Sequence, residues 1–264
     1  LLFVNVSASD LGALAEFKTI AIGICGTAIV IAIFIVWSQL RVHNPLDRGV
    51  VIQGAFRSNM GIIGLAYCAN AYGEDGITYA SIFLGTLTIF YNLLCVIILN
   101  VYANNKIDIK RIVLGIISNP IILGIVAGLA VSFFSVPVPQ MLSTSLGYFA
   151  QLTLPLALLC TGASLRFTSL GKEWKLVVLA CFGKCIVYPV VLLGLALWFD
   201  VRGVSLGVIF LMSVSPSATA GYIMVRKIGG NHGLAAQIIA CSTIVSLPLT
   251  IIAYYLMVSF TEIA

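Results

Sequence analysis

Runs of about 20 consecutive apolar residues recur along the whole of this chain, and no other feature restricts its fold so tightly. A helix of that length rises about 30 Å, the thickness of a bilayer's hydrocarbon core. Composition agrees: 61% of the residues are hydrophobic and only 9% charged, too few to give 264 residues a water-facing surface. The expected spans are Thr19–Leu40, Val50–Tyr72, Ile77–Tyr102, Ile112–Phe134, Met141–Leu165, Leu176–Phe199, Val204–Val225 and Leu234–Phe260. Leu1 to Ala8 reads as the second half of a further helix. An all-α membrane protein follows.

Short loops make successive helices alternate in direction, and the basic residues sort with that alternation. One set of loops holds Arg41, Arg48, Lys106, Lys110, Arg111, Arg166, Lys172, Lys175, Arg226 and Lys227; the other holds only Lys18 and Arg202. The positive-inside rule puts the first set in the cytoplasm and the C-terminus outside. The net charge of +5 therefore bears on orientation, and no nucleic-acid partner is expected. Trp37, Trp174 and Trp198 stand near span ends as interfacial anchors. Seven cysteines fall in apolar runs, and His43 and His232 are isolated, so neither a disulfide framework nor a metal site is indicated.

A shift of 157 residues lays 56–76 on 213–233, matching Gly64 to Gly221 and Gly73/Gly76 to Gly230/Gly233. That shift carries five spans, an odd number, so the two copies insert in opposite senses. Inverted repeats of this kind are a transporter signature. The expectation is a ten-helix, 5+5 inverted-repeat fold lacking its first one and a half helices. Residues 1–102 form the incomplete first repeat, beginning within helix 2; 103–111 form a cytoplasmic inter-repeat loop; 112–264 form the second repeat.

Both aligned spans carry helix-interrupting chemistry near their centres: Ser58-Asn59-Met60-Gly61 in one, Ser213-Val214-Ser215-Pro216-Ser217 in the other. Pro216 is expected at the first position of a new helical segment. Two helices broken there and crossing at mid-bilayer would present amide groups and positive dipole ends to one point. Serine, glycine and proline also serve merely to kink or pack membrane helices, but two interruptions at matching positions point to an anion site. Arg57 lies about 13 Å from the cytoplasmic end of its helix and Lys184 about 16 Å from its own. Charges at that depth are costly and tend to be functional or paired. For Arg57 the structural reading is that it caps the carbonyl end of the first half-helix. For Lys184 it is a wet crevice or a partner elsewhere. Pro155 and Pro189 read as kinks. The candidate substrate site comprises Arg57, Ser58, Asn59, Gly61, Lys184, Ser215, Pro216, Ser217 and Thr219.

"FRSNMGIIGL", "NPIILGIVAGL", "LPLALLCTGASL" and "SPSATAGYIMVRKIGGN" together resemble the auxin efflux carrier family, particularly its bacterial malate and malonate permeases. The resemblance covers nearly the whole chain. It implies ten helices in two inverted repeats with broken fourth and ninth helices, Asn59 at the fourth-helix break and Pro216 at the ninth. It also implies homodimers and residence in a bacterial inner (plasma) membrane. Ala66 departs from the family, where a proline is common. The implied activity is secondary transport of a small organic anion by alternating access, a carboxylate, with two midplane cations favouring a dicarboxylate. Antiport or uniport fits a chain without an intramembrane acid. An anion channel is the alternative, though polar positions outside the breaks are few; a transporter-like sensor that binds without flux is another. No serine nucleophile motif or HExxH appears, so no catalytic residue or cofactor is expected.

Overall fold

A computed structural model describes residues 2–7, 17–103, 114, 117, 118, 120–134, 136–164 and 173–261. The inter-repeat loop, apart from Ala103, lies outside the described residues, as do Lys106, Lys110, Arg111, Arg166 and Lys172. Regular structure among the described residues is helical, save one isolated antiparallel bridge between Ser58 and Ser217. In chain order the helices are α1 (Leu2–Ser7), α2 (Phe17–Arg41), α3 (Pro45–Phe56), α4 (Leu65–Tyr102), α5 (Pro120–Phe133) and α6 (Gln140–Ser164). They continue with α7 (Trp174–Phe182), α8 (Tyr188–Trp198), α9 (Gly203–Val214), α10 (Thr219–Ile228) and α11 (His232–Thr261). Wider π turns at Met60–Gly64 and Gly183–Val187 join α3 to α4 and α7 to α8.

Phe17–Arg41, Met60–Tyr102, Trp174–Trp198 and His232–Tyr255 are long and apolar enough to cross a membrane, and Ile122–Phe133 and Gly203–Val214 are shorter apolar helices. The 43 residues from Met60 to Tyr102 exceed one crossing. Gly73 divides them, at φ 59° and ψ −136°, a conformation closed to residues with a Cβ. Gly229, at φ 88°, ends α10 in the same left-handed half of backbone space. These two glycines close the two broken spans one position apart under the 157-residue shift, which matches Gly73 to Gly230.

The second expected span begins five residues earlier than its hydropathy suggests. Asn44 accepts from Leu46 N at 3.1 Å and Pro45 occupies the first helical position, so α3 starts at Pro45 rather than Val50. Arg48 thus belongs to the first turn of a helix, not to a loop, and its Nε donates to Val42 O at 2.7 Å. Asp47, in the same turn, is buried. Asn231 Nδ2 donates to Asp47 Oδ1 at 2.9 Å and to Glu173 Oε1 at 3.0 Å, while Asn231 Oδ1 caps Leu234 N. One amide therefore gathers the starts of α3, α7 and α11.

Lipid is as apolar as leucine, so these helices associate through close contact more than through hydrophobic burial. A Cβ on Gly23 would lie 2.8 Å from Phe83, and one on Gly26 would lie 2.6 Å from Leu192, which lets α2 press against α4 and α8. Phe34, Phe56, Phe83, Leu87, Tyr188, Leu206, Ile209 and Met212 fill the interior. Phe133, Phe149, Leu159, Trp198 and Ile251 stand exposed, as a lipid-facing surface requires. Pro155 lies inside α6 without ending it, and Pro189 follows the π turn that contains Lys184.

Candidate functional site

Both expected breaks occur, and they meet. α3 ends at Phe56, Arg57 is extended, Ser58 forms the bridge, Asn59 turns to ψ 59°, and Met60 begins the next segment. α9 ends at Val214, Ser215 turns to ψ 145°, and α10 begins at Thr219. The proline sets this second break: a residue before proline is pushed out of the helical region. Pro216 itself lies within the extended stretch, three residues before the new helix rather than at its first position.

Two backbone hydrogen bonds join the crossing strands, Asn59 N to Pro216 O at 2.7 Å and Ala218 N to Arg57 O at 2.9 Å. Two serines complete the exchange. Ser217 Oγ donates to Gly54 O at 2.6 Å, and Ser58 Oγ reaches Ser213 O at 3.5 Å. Each break thus supplies a hydroxyl to the last turn of the helix that the other break interrupts, where carbonyls lack intrahelical partners. The arrangement has local two-fold symmetry centred on Ser58 and Ser217, two positions beyond the partner (Ser215) that the 157-residue shift gives. The crossing also consumes some of the amides expected to face a ligand, because Asn59 N and Ala218 N bond across it and Ser217 N donates to Ser242 Oγ at 3.1 Å. The next amides, at the start of Met60–Gly64 and of α10, have no preceding turn to accept them.

Beside the crossing lies a cavity of about 240 Å³. Arg57, Ser58, Asn59, Gly61 and Thr219 line it, with Met60, Ile62, Ala218 and Ala220. Lys184, Ser215, Pro216 and Ser217 do not; they sit behind it. Ser215 Oγ turns back to Met212 O at 2.8 Å. Lys184 is fully buried, donates to Ser213 O at 2.5 Å, and lies 4.7 Å from the centre of the Tyr188 ring. Its charge meets the carbonyl end of α9, the capping arrangement that the structural reading had assigned to Arg57.

Arg57 behaves differently. Its guanidinium donates from Nη2 to Asn92 Oδ1 at 2.8 Å and from Nη1 to Met224 Sδ at 3.0 Å. Among the described residues no carboxylate pairs with Arg57 or Lys184; the one ion pair recorded joins Arg202 to Asp200 at the surface. The side chains of Asn59, Thr88 and Thr219 have no hydrogen-bond partner among the described residues, and all three line the cavity. The cavity is therefore a walled space with one buried cation, several unengaged donors and an apolar side.

That remaining wall comes from α4, whose Leu84, Thr88, Tyr91 and Asn92 were not among the expected site residues. They recur at helical spacing on one face. Asn92, a polar residue in an otherwise apolar run, carried the signal. Tyr91 stacks edge-on against Phe56 and turns its hydroxyl to Tyr188, which also meets Thr27 Oγ1 at 3.1 Å. A second, far smaller cavity of about 10 Å³, room for one water, lies across Arg57 beside the buried and unpaired Gln53 Oε1.

Two interrupted helices thus exchange backbone bonds beside a cavity lined by one buried cation. No curated protein sequence matches the chain. The family model described as membrane transport protein matches residues 1–254. Members of that family are transporters that take a small-molecule substrate through a lipid bilayer. The chain belongs to the membrane transport protein family, that of the auxin efflux carriers, and is an integral membrane transporter.

Proposed function

We propose that this protein moves a small organic anion, a carboxylate, by alternating access around the Ser58–Ser217 crossing. The observation that carries the reading is Arg57: a buried guanidinium lining a cavity of about 240 Å³, held among the described residues by neutral groups. A cation removed from water needs a countercharge, and a bound carboxylate supplies it at small cost. Asn59, Thr88 and Thr219 add donors, and the amide ends of the two half-helices add positive potential. The binding residues under this reading are Arg57, Ser58, Asn59, Gly61 and Thr219. Lys184, Ser215, Pro216 and Ser217 hold the crossing in place behind them. With Lys184 bonded to Ser213 O, the cavity itself holds one cation, so a single carboxylate group is what it recognises.

The repeats carry the transport cycle in this reading: 1–102 and 112–264, inserted in opposite senses about 103–111, with the basic loops in the cytoplasm and the C-terminus outside. The reciprocal serine bonds, Ser58 to Ser213 O and Ser217 to Gly54 O, support that two-fold relation. Alternating access then exposes one site to each side in turn. The test is uptake of radiolabelled malonate, succinate and phenylacetate by proteoliposomes of the full-length protein, with proton and sodium gradients imposed in turn. Saturable uptake of at least one carboxylate is expected. Binding of none, with transport of a neutral or cationic solute instead, overturns the proposal.

A further inference from the structure

The long helix α4 holds three asparagines, and one of them behaves unlike the others. Asn70 and Asn100 each donate Nδ2 to the carbonyl one turn back, Ala66 O and Val96 O, both at 2.8 Å. That is the ordinary resting place of an amide in an apolar helix, because it satisfies a donor with no outside partner. Asn92 makes no such bond. Its Oδ1 accepts from Arg57 Nη2 at 2.8 Å, and its side chain lines the cavity. A guanidinium can only donate, so the amide oxygen must face Arg57 and the NH₂ must face elsewhere. That NH₂ has no partner among the described residues.

We propose that Asn92 is a positioning and binding residue that holds the Arg57 guanidinium with its oxygen and donates from its NH₂ to the same substrate carboxylate. This rests on the anion reading above. The two side chains form one fork, aimed from the first break and from α4, and a carboxylate with two acceptor oxygens matches it where a single-acceptor neutral ligand does not. Thr88, one turn before Asn92 on the same wall, extends the donor row. Met224 Sδ holds the other arm of Arg57 at 3.0 Å and brings no charge.

The experiment compares wild type with Asn92→Asp, Asn92→Leu and Arg57→Gln in proteoliposomes, using radiolabelled malonate and phenylacetate and measuring KM and maximal rate separately. Asn92→Asp places a carboxylate where Asn92 holds Arg57, so the protein supplies its own anion. KM should rise about tenfold or more while the protein stays folded. Asn92→Leu keeps the cation but loses both roles of the amide, and a rise of about three- to tenfold is expected. If both Asn92 variants keep wild-type KM while Arg57→Gln is silent, the role of Asn92 is refuted and the anion reading stands. If Arg57→Gln itself transports normally, the anion reading fails and takes this proposal with it. Should wild type carry neither probe, thermal unfolding in detergent decides. Asn92→Asp should raise the unfolding temperature in wild type but not in the Arg57→Gln background, and equal shifts in both backgrounds overturn the proposal.

Discussion

At the first break the buried cation belongs to the broken helix and turns away from the crossing, into the cavity. At the second break the buried cation comes from the neighbouring α7–α8 pair and turns toward the crossing, onto Ser213 O. The backbones of the two breaks are related by a local two-fold axis and exchange equivalent bonds. Their charges do not follow that symmetry. One interrupted helix has its carbonyl end met by the Lys184 cation and the Ser58 hydroxyl, and the other, among the described residues, by the Ser217 hydroxyl on Gly54 O without a cation. A repeat thus supplies a symmetric frame, and function enters where the frame's two halves are decorated differently.

The widest test of that difference exchanges the consequences of losing each cation. Arg57→Gln should weaken carboxylate affinity about tenfold to a hundredfold, as expected for one or two charge-assisted hydrogen bonds, and should leave thermal unfolding nearly unchanged. Lys184→Met should do the reverse. It strips a donor from a buried carbonyl and should cost about 1–3 kcal/mol of stability, while the fraction that folds binds substrate with near-normal affinity. Substrate binding and thermal unfolding measured on both variants decide it. If Lys184→Met loses affinity without losing stability, the two cations act alike and the contrast collapses.

Much of this geometry could be read from residues, and the failures have physical causes. Both breaks were legible because Ser58-Asn59 and Ser215-Pro216 are poor helix interiors inside apolar runs. The start of α3 at Pro45 escaped, because hydropathy begins the span at Val50 and a helix's first turn is as polar as a loop. The sequence puts Lys184 near mid-bilayer, yet its partner is a backbone carbonyl 29 positions away that becomes available only when α9 breaks. Asn92 escaped because its meaning depends on Arg57, 35 positions earlier in sequence and adjacent only after folding. Single positions reveal interruptions; pairings across the crossing are a tertiary fact.

A narrower comparison sets the two closing glycines against each other. Gly229 sits at φ 88°, ψ 20°, within reach of the left-handed region that other residues visit at some cost. Gly73, at φ 59°, ψ −136°, lies where only glycine is comfortable. Alanine should therefore cost about 1 kcal/mol at Gly229 and about 1–3 kcal/mol at Gly73. No Cβ clash complicates either value, because nothing lies within 4 Å of the added atom at either site. Equal unfolding temperatures for the two variants would show that the turns are not held in these conformations.

The smallest expected effect probes the serine exchange. Ser217 Oγ stands 2.6 Å from Gly54 O and is recorded there without a second donor, so Ser217→Ala leaves the last turn of α3 with an unpaired buried carbonyl. Ser58 Oγ is 3.5 Å from Ser213 O, which already accepts from Lys184 at 2.5 Å, so Ser58→Ala removes a long bond to a carbonyl that stays satisfied. Ser58→Ala should cost near the bottom of the roughly 0.5–1.5 kcal/mol typical of a hydrogen bond, and Ser217→Ala, which leaves a buried acceptor unsatisfied, at the low end of about 1–3 kcal/mol. Thermal unfolding of the two variants in the same detergent measures the difference. Adding Lys184→Met should close it, because Ser213 O then depends on Ser58 as Gly54 O depends on Ser217. A Ser58→Ala cost that stays small in the Lys184→Met background would mean that the lysine, at its distance of 2.5 Å, is not what relieves the second break.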